Sequence, residues 1–255
     1  MNPRLALALL LVATLAPAAS ASGPAGSVAL PGADRSAPQS TLEPTGSAAA
    51  KANPDPTRFD KEIAAFEDED RVSPPAPGGT LFVGSSSIRY WDVTKAFPGL
   101  RAVKRGYGGS HVSDTLHFAD RIIFRYAPAE VVFYAGDADV AAGKTAEQIA
   151  ADTLTLVDLV HTRLPNTAIV VIGTKPSPAH WSHMATIRAA NGLVRQRVAG
   201  DAKVTFVDVE RALLGPDGKP RPDFYVENGL NLNESGYAAW TEATRAAIER
   251  ARPRP

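Results

Sequence analysis

Four short segments of this 255-residue chain set hydroxyl, carboxylate or amide side chains beside glycine. Gly84-Ser85-Ser86-Ser87-Ile88 follows the apolar run Leu81-Phe82-Val83. A turn of this kind can lift a serine hydroxyl onto the start of a helix, where backbone N–H groups favour developing negative charge. The same serines also make good helix caps, so the segment alone leaves both roles open. Gly106-Tyr107-Gly108-Gly109-Ser110 can bring a backbone N–H close to a ligand, or can simply form a tight turn. Tyr134-Ala135-Gly136-Asp137-Ala138-Asp139 holds two carboxylates suited to a metal, to solvent or to helix capping, with capping the expectation. Glu227-Asn228-Gly229-Leu230-Asn231-Leu232-Asn233 precedes the final helical stretch.

These segments matter only if the chain brings them together, and its pattern predicts that it does. Thr80 to Gly84, Ala102 to Arg105, Glu130 to Tyr134, Ala168 to Gly173 and Val204 to Val207 are short runs rich in Val, Ile and Phe, the composition of strands covered on both faces. Between them run helical faces. One carries Ile149, Thr153, Leu156, Val157, Val160 and Leu164, another Ile187, Ala190, Val194 and Val198, and a last one Tyr237, Trp240, Ala247 and Ile248. Phe59, Ile63 and Phe66 predict a short charged helix before the first strand, ended by the prolines and glycines of Val72 to Gly79. The alternation implies right-handed crossovers and one three-layer α/β/α domain with a five-stranded, mostly parallel sheet. In such a sheet ligands sit at the carboxyl ends of the strands, where the first three segments begin.

Composition narrows the possibilities. Lysine plus arginine equals aspartate plus glutamate, 27 against 27, so no excess charge draws the chain to nucleic acid. No cysteine is present, which excludes disulfides and thiolate chemistry. Arg4, the apolar stretch Leu5 to Leu15 and Ala19-Ser20-Ala21 predict a signal peptide over residues 1–21, cleaved after Ala21, and hence a periplasmic or released protein without a membrane span. Residues 22–56 read as a low-complexity linker, and 57–253 as the domain.

In order, spacing and flanking residues the four segments resemble the SGNH (GDSL-like) serine hydrolases, from Phe59 to the last helix. The resemblance implies an esterase of flavodoxin-like architecture, with Ser86 at the nucleophile position and Gly109 giving an oxyanion-hole N–H. Lys175-Pro176-Ser177-Pro178 is similar to a loop of one bacterial subgroup. The departures are specific. Ala138 stands where the family has an oxyanion asparagine, and Asn228 and Asn231 stand where it has the catalytic aspartate and histidine. An amide does not titrate near neutral pH, so Asn231 cannot take the serine proton or return it to a leaving group.

A substitute base would have to come from His111, His117, His161, His180 or His183. His111 follows the glycine loop, and His180 and His183 flank Trp181 after the fourth strand, all on the candidate side; His117 and His161 fall within helices. His180 and His183 without a firm third ligand do not make a metal site, and no cofactor is called for. Two functions compete. The first is a catalytically impaired protein that binds a small-molecule ester or a glycan; the second is an active ester hydrolase using Ser86 with His180 or His183. A secreted partner-binding module is a third reading, for which the sequence offers no interface signal.

Overall fold

A computed structural model describes residues 50–250. The expected signal peptide, linker residues 22–49 and the last expected domain residues, 251–253, lie outside it.

Five strands, β1 (Thr80–Gly84), β2 (Ala102–Gly106), β3 (Glu130–Tyr134), β4 (Ala168–Ile172) and β5 (Val204–Val207), form one sheet in the order β2-β1-β3-β4-β5. Every pairing is parallel. The helices are α1 (Asp60–Val72), α2 (Ser86–Tyr90), α3 (Val93–Ala96), α4 (Val112–His117), α5 (Ala119–Ile122), α6 (Asp137–Ala141), α7 (Ala146–Arg163), α8 (Met184–Val198), α9 (Glu210–Leu213) and α10 (Glu234–Arg250).

Period-two alternation divides the strand side chains between two cores. Leu81, Val83, Val131, Phe133, Ile169 and Val171 face one side, where they pack with Ile63 of α1, Ile122 of α5, Val157 of α7 and Val194 of α8. Phe82, Val132, Tyr134, Val170 and Ile172 face the other, against Ile88 of α2, Leu213 of α9 and Trp240 and Ile248 of α10. Right-handed crossovers explain this division. The chain leaves β1 toward β2 over one face with α2 and α3, then returns past β1 and builds the sheet in the opposite direction with α4 to α8 on the other face. Strand order therefore reverses between β1 and β3, which opens a crevice at their carboxyl ends.

Local rules fix the elements that frame this crevice. Thr145 and Gln148 form a capping box at the start of α7, with Gln148 N–H donating to Thr145 Oγ1 at 3.3 Å and Thr145 N–H to Gln148 Oε1 at 3.1 Å. Gln148 also pairs with the backbone of Lys51, which ties this part of the expected linker to the domain. Helix α1 docks through a buried cluster: Arg105 donates to Asp70 and, at 2.7 Å, to the Tyr126 hydroxyl, which in turn donates to Asp70 at 2.6 Å.

Candidate active site

The site begins where β1 is forced to bend. Gly84 has φ +132°, and a Cβ there would lie 1.9 Å from the Tyr134 carbonyl oxygen, so only glycine fits. Ser85 N–H then donates to that oxygen at 2.9 Å, and Ser85 caps α2. Ser86 is the first residue of α2 and is 9% exposed. Its N–H donates to Ser85 Oγ at 2.7 Å, so this candidate oxyanion donor already has an acceptor.

The glycine loop after β2 lies alongside. A Cβ on Gly108 would be 3.9 Å from the Ser86 Cβ, which places Gly108-Gly109 beside the hydroxyl. Gly109 has φ +78° with open space where a side chain would stand, so backbone conformation rather than crowding selects glycine. Its N–H has no acceptor among the described residues and remains able to stabilise a developing oxyanion.

Ala138 sits half-buried in α6, after β3. The expectation that the flanking carboxylates cap the helix that follows is corrected by their partners. Asp137 accepts from Lys175 Nζ at 2.8 Å and from the Tyr134 hydroxyl at 2.7 Å, with Lys175 wholly buried. Burial alone would raise the Asp137 pKa. The Lys175 ammonium, with hydrogen bonds from Lys175 and Tyr134 and the His180 ring nearby, outweighs it and holds the carboxyl at about 2. Asp139 pairs with Lys144 at 2.8 Å and accepts from Val112 N–H at 3.1 Å, so the helix start it satisfies is that of α4 rather than its own. Both carboxylates hold the floor of the site together, and the sequence alone gave no sign of these partners.

The segment before α10 folds back as a turn. Asn228 Oδ1 accepts from Leu230 N–H at 2.9 Å and Asn231 N–H at 3.0 Å, an Asx turn that a carboxylate could form equally well. Val226 N–H donates to the Asn231 carbonyl at 2.9 Å and Ala179 N–H to the Gly229 carbonyl at 3.1 Å, which locks the turn against the loop after β4. Asn231 is half-buried, and its Oδ1 is buried with no hydrogen-bond partner among the described residues. Asn233 accepts from Gly236 N–H at 3.0 Å and so starts α10. The Tyr237 hydroxyl then reaches the Ser87 carbonyl at 2.9 Å, joining α10 to α2.

The sheet thus brings Ser86, Gly109 and Ala138 to adjoining strand ends, with Asn228 and Asn231 on the loop before α10. The histidines are placed otherwise. His111 Nδ1 lies 3.3 Å from Asp139 Oδ1, and His111 is buried at the start of α4. His180 Nδ1 lies 3.9 Å from Asp137 Oδ1. The His183 ring is 6.2 Å from that of His180, in the 3-10 turn Trp181–His183. His117 ends α4, and His161 stands 3.5 Å from Asp201 on α7. Among the described residues no imidazole hydrogen-bonds Ser86, and no three His, Cys, Asp or Glu side chains are grouped to hold a metal. Tyr134 and Lys175 are contributors the residue pattern did not single out. The one available signal was strand alternation, which turns Tyr134 to the α10 side.

Comparison with known proteins agrees with the fold. The pattern of the GDSL-like lipase/acylhydrolase family matches residues 83–239. The human platelet-activating factor acetylhydrolase IB subunit alpha1 is 27% identical over 177 residues, covering 67% of this chain and 75% of the relative. A Streptococcus pneumonia structure described as a platelet activating factor superposes with a TM-score of 0.67 at 19% identity, covering 74% of this chain and 92% of that one. An acetylxylan esterase from Geobacillus stearothermophilus, solved as a catalytic mutant, gives 0.56 at 16% identity, covering 70% and 99%.

Proposed function

The chain belongs to the GDSL-like lipase/acylhydrolase family, and from that premise we propose that it is an exported, catalytically impaired member that binds an ester-bearing or unmodified glycan. One observation carries the impairment: the position that the resemblance gives to the catalytic histidine holds the amide Asn231, and among the described residues no imidazole bonds to Ser86 in its stead. A serine hydroxyl attacks an acyl carbon only as a base removes its proton, and collapse of the tetrahedral species requires that proton back. Ser86 has neither service. The oxyanion would meet Gly109 N–H, because Ser86 N–H is engaged by Ser85 and Ala138 has nothing to donate. The remaining groups suit recognition rather than turnover. Support for a sugar ligand comes from the likeness in fold to an acetylxylan esterase, and support for export from the Arg4 to Ala21 pattern.

The purified protein should show neither burst nor turnover with p-nitrophenyl acetate. Hydrolysis that disappears in Ser86→Ala would overturn this reading. A second reading, an active hydrolase with His180 as base, is favoured by the Asp137 carboxylate 3.9 Å behind His180 Nδ1. It requires activity that both Ser86→Ala and His180→Ala abolish.

A further inference from the structure

A groove of about 810 Å³ runs between α2–α3 and α10, meeting the candidate site at Asn228 and Asn231 without including Ser86. Its volume falls within the range of small-molecule sites. Tyr90 lines it and is 54% exposed, an aromatic face turned to solvent at the end of a helix whose Ile88 is wholly buried. Asn228 and Asn231 supply amides at one end, and neither amide nitrogen has an acceptor among the described residues. Asn231 Oδ1 is a buried acceptor without a donor. Buried polar atoms are normally paired, so a donor from a water or a ligand in the groove would complete this one.

Charge decides what kind of donor. Lys95 pairs with Glu234 across the groove at 2.6 Å, and Arg245 pairs with Glu249 at 3.2 Å. Asp92 accepts from Lys95 N–H at 3.0 Å as the cap of α3. The two cations that line the groove are thus each paired with a carboxylate of the chain, while Arg89, beside the groove and without a carboxylate partner among the described residues, packs its guanidinium 5.8 Å over the Tyr90 ring. A planar amide donates and accepts at once, as a sugar hydroxyl does, while an exposed tyrosine ring suits the C–H face of a pyranose.

We infer that the α2–α3/α10 groove is a binding site for a neutral oligosaccharide, with Tyr90 as its platform and Asn231 as its hydrogen-bonding end. The inference deepens the proposed function and rests on its reading of the ligand as a glycan.

Isothermal titration calorimetry of the purified protein with xylohexaose and with hexa-N-acetylchitohexaose tests it, using a heparin-derived hexasaccharide as the polyanionic counterpart. The expected result is saturable binding of at least one neutral hexasaccharide, none of the polyanion, and an affinity about tenfold lower in Tyr90→Ala. Tyr90 is exposed, so an unchanged melting temperature should accompany that loss. Unaltered affinity in Tyr90→Ala, preference for the polyanion, or no binding of either neutral sugar overturns the inference. Ser86-dependent ester turnover would instead overturn the impaired-enzyme reading and leave the groove standing, whereas binding indifferent to Tyr90→Ala removes the groove and leaves the inert serine.

Discussion

The combined substitution Ala138→Asn, Asn228→Asp, Asn231→His should convert this protein into a working esterase, because each change enters a position the fold already prepares. Asn228 Oδ1 accepts two backbone N–H groups, and a carboxylate oxygen can keep both while its second oxygen faces residue 231. Asn231 is half-buried with its Oδ1 unpaired, so replacing it forfeits no hydrogen bond of that atom. Ala138 is half-buried at the edge of the crevice, where a longer side chain has room to turn outward. Disabling a triad member costs on the order of 10⁴ to 10⁶ in rate, and an oxyanion donor roughly 10² to 10³, without the two multiplying. The revertant should therefore exceed the parent by at least about 10⁴ in kcat/KM for p-nitrophenyl acetate, with the gain erased by adding Ser86→Ala. Steady-state and burst measurements on both proteins, with matched thermal melts, supply the comparison. A revertant that melts like the parent yet gains nothing would refute the claim that proton transfer is what this site lacks.

Other measurements probe the scaffold. The Asp137 carboxyl is held at about 2, against an ordinary 3.8, so its folded pKa lies below its unfolded one. Its contribution of ~2 kcal/mol is thus present above pH ~4 and is lost as pH falls toward 2. Urea denaturation across that range should show the loss in the parent and its absence in a protein carrying Asp137→Asn. Gly84→Ala, with its Cβ 1.9 Å from a carbonyl oxygen, should cost ~3 kcal/mol or more. Gly109→Ala meets open space and only an unfavourable φ, so ~1–2 kcal/mol is expected, and the difference between the two midpoints checks the distinction. Tyr237→Phe removes the hydroxyl that joins α10 to Ser87 and should lower stability by about 1 kcal/mol in the same assay.

The strands were the most legible part of the sequence. The run Glu130 to Tyr134 is β3 to the residue, and the expected ends of the β2 and β4 runs differ by one residue from those found. Continuous apolar runs bounded by glycine have few other uses once both faces are covered. Recognition of Ser86, Gly109, Ala138, Asn228 and Asn231 as a group came from the order of the motifs, and their positions at loop and strand ends follow from the sheet. What stayed hidden was pairing at a distance. Nothing in the spacing of Asp137 and Lys175, or of Asp139, Lys144 and His111, shows that these side chains meet. His111 looked like a candidate base for the same reason: its sequence position borders the site, while its ring turns toward Asp139. The groove against Tyr90 was equally invisible, since it forms between α2–α3 and α10, helices far apart in the chain.

Neighbouring residues of one strand, such as Leu81 and Phe82, belong to opposite cores. Neither helical layer can then detach without exposing the sheet that the other layer needs, so the domain has no half-melted form of its own to populate. Amide hydrogens in the middle of β1 and β3 should accordingly exchange with solvent only through global opening, while the turn around Asn228 exchanges by local fluctuation. A binding surface of this kind can alter its loops freely, because the energy that keeps it folded is stored elsewhere.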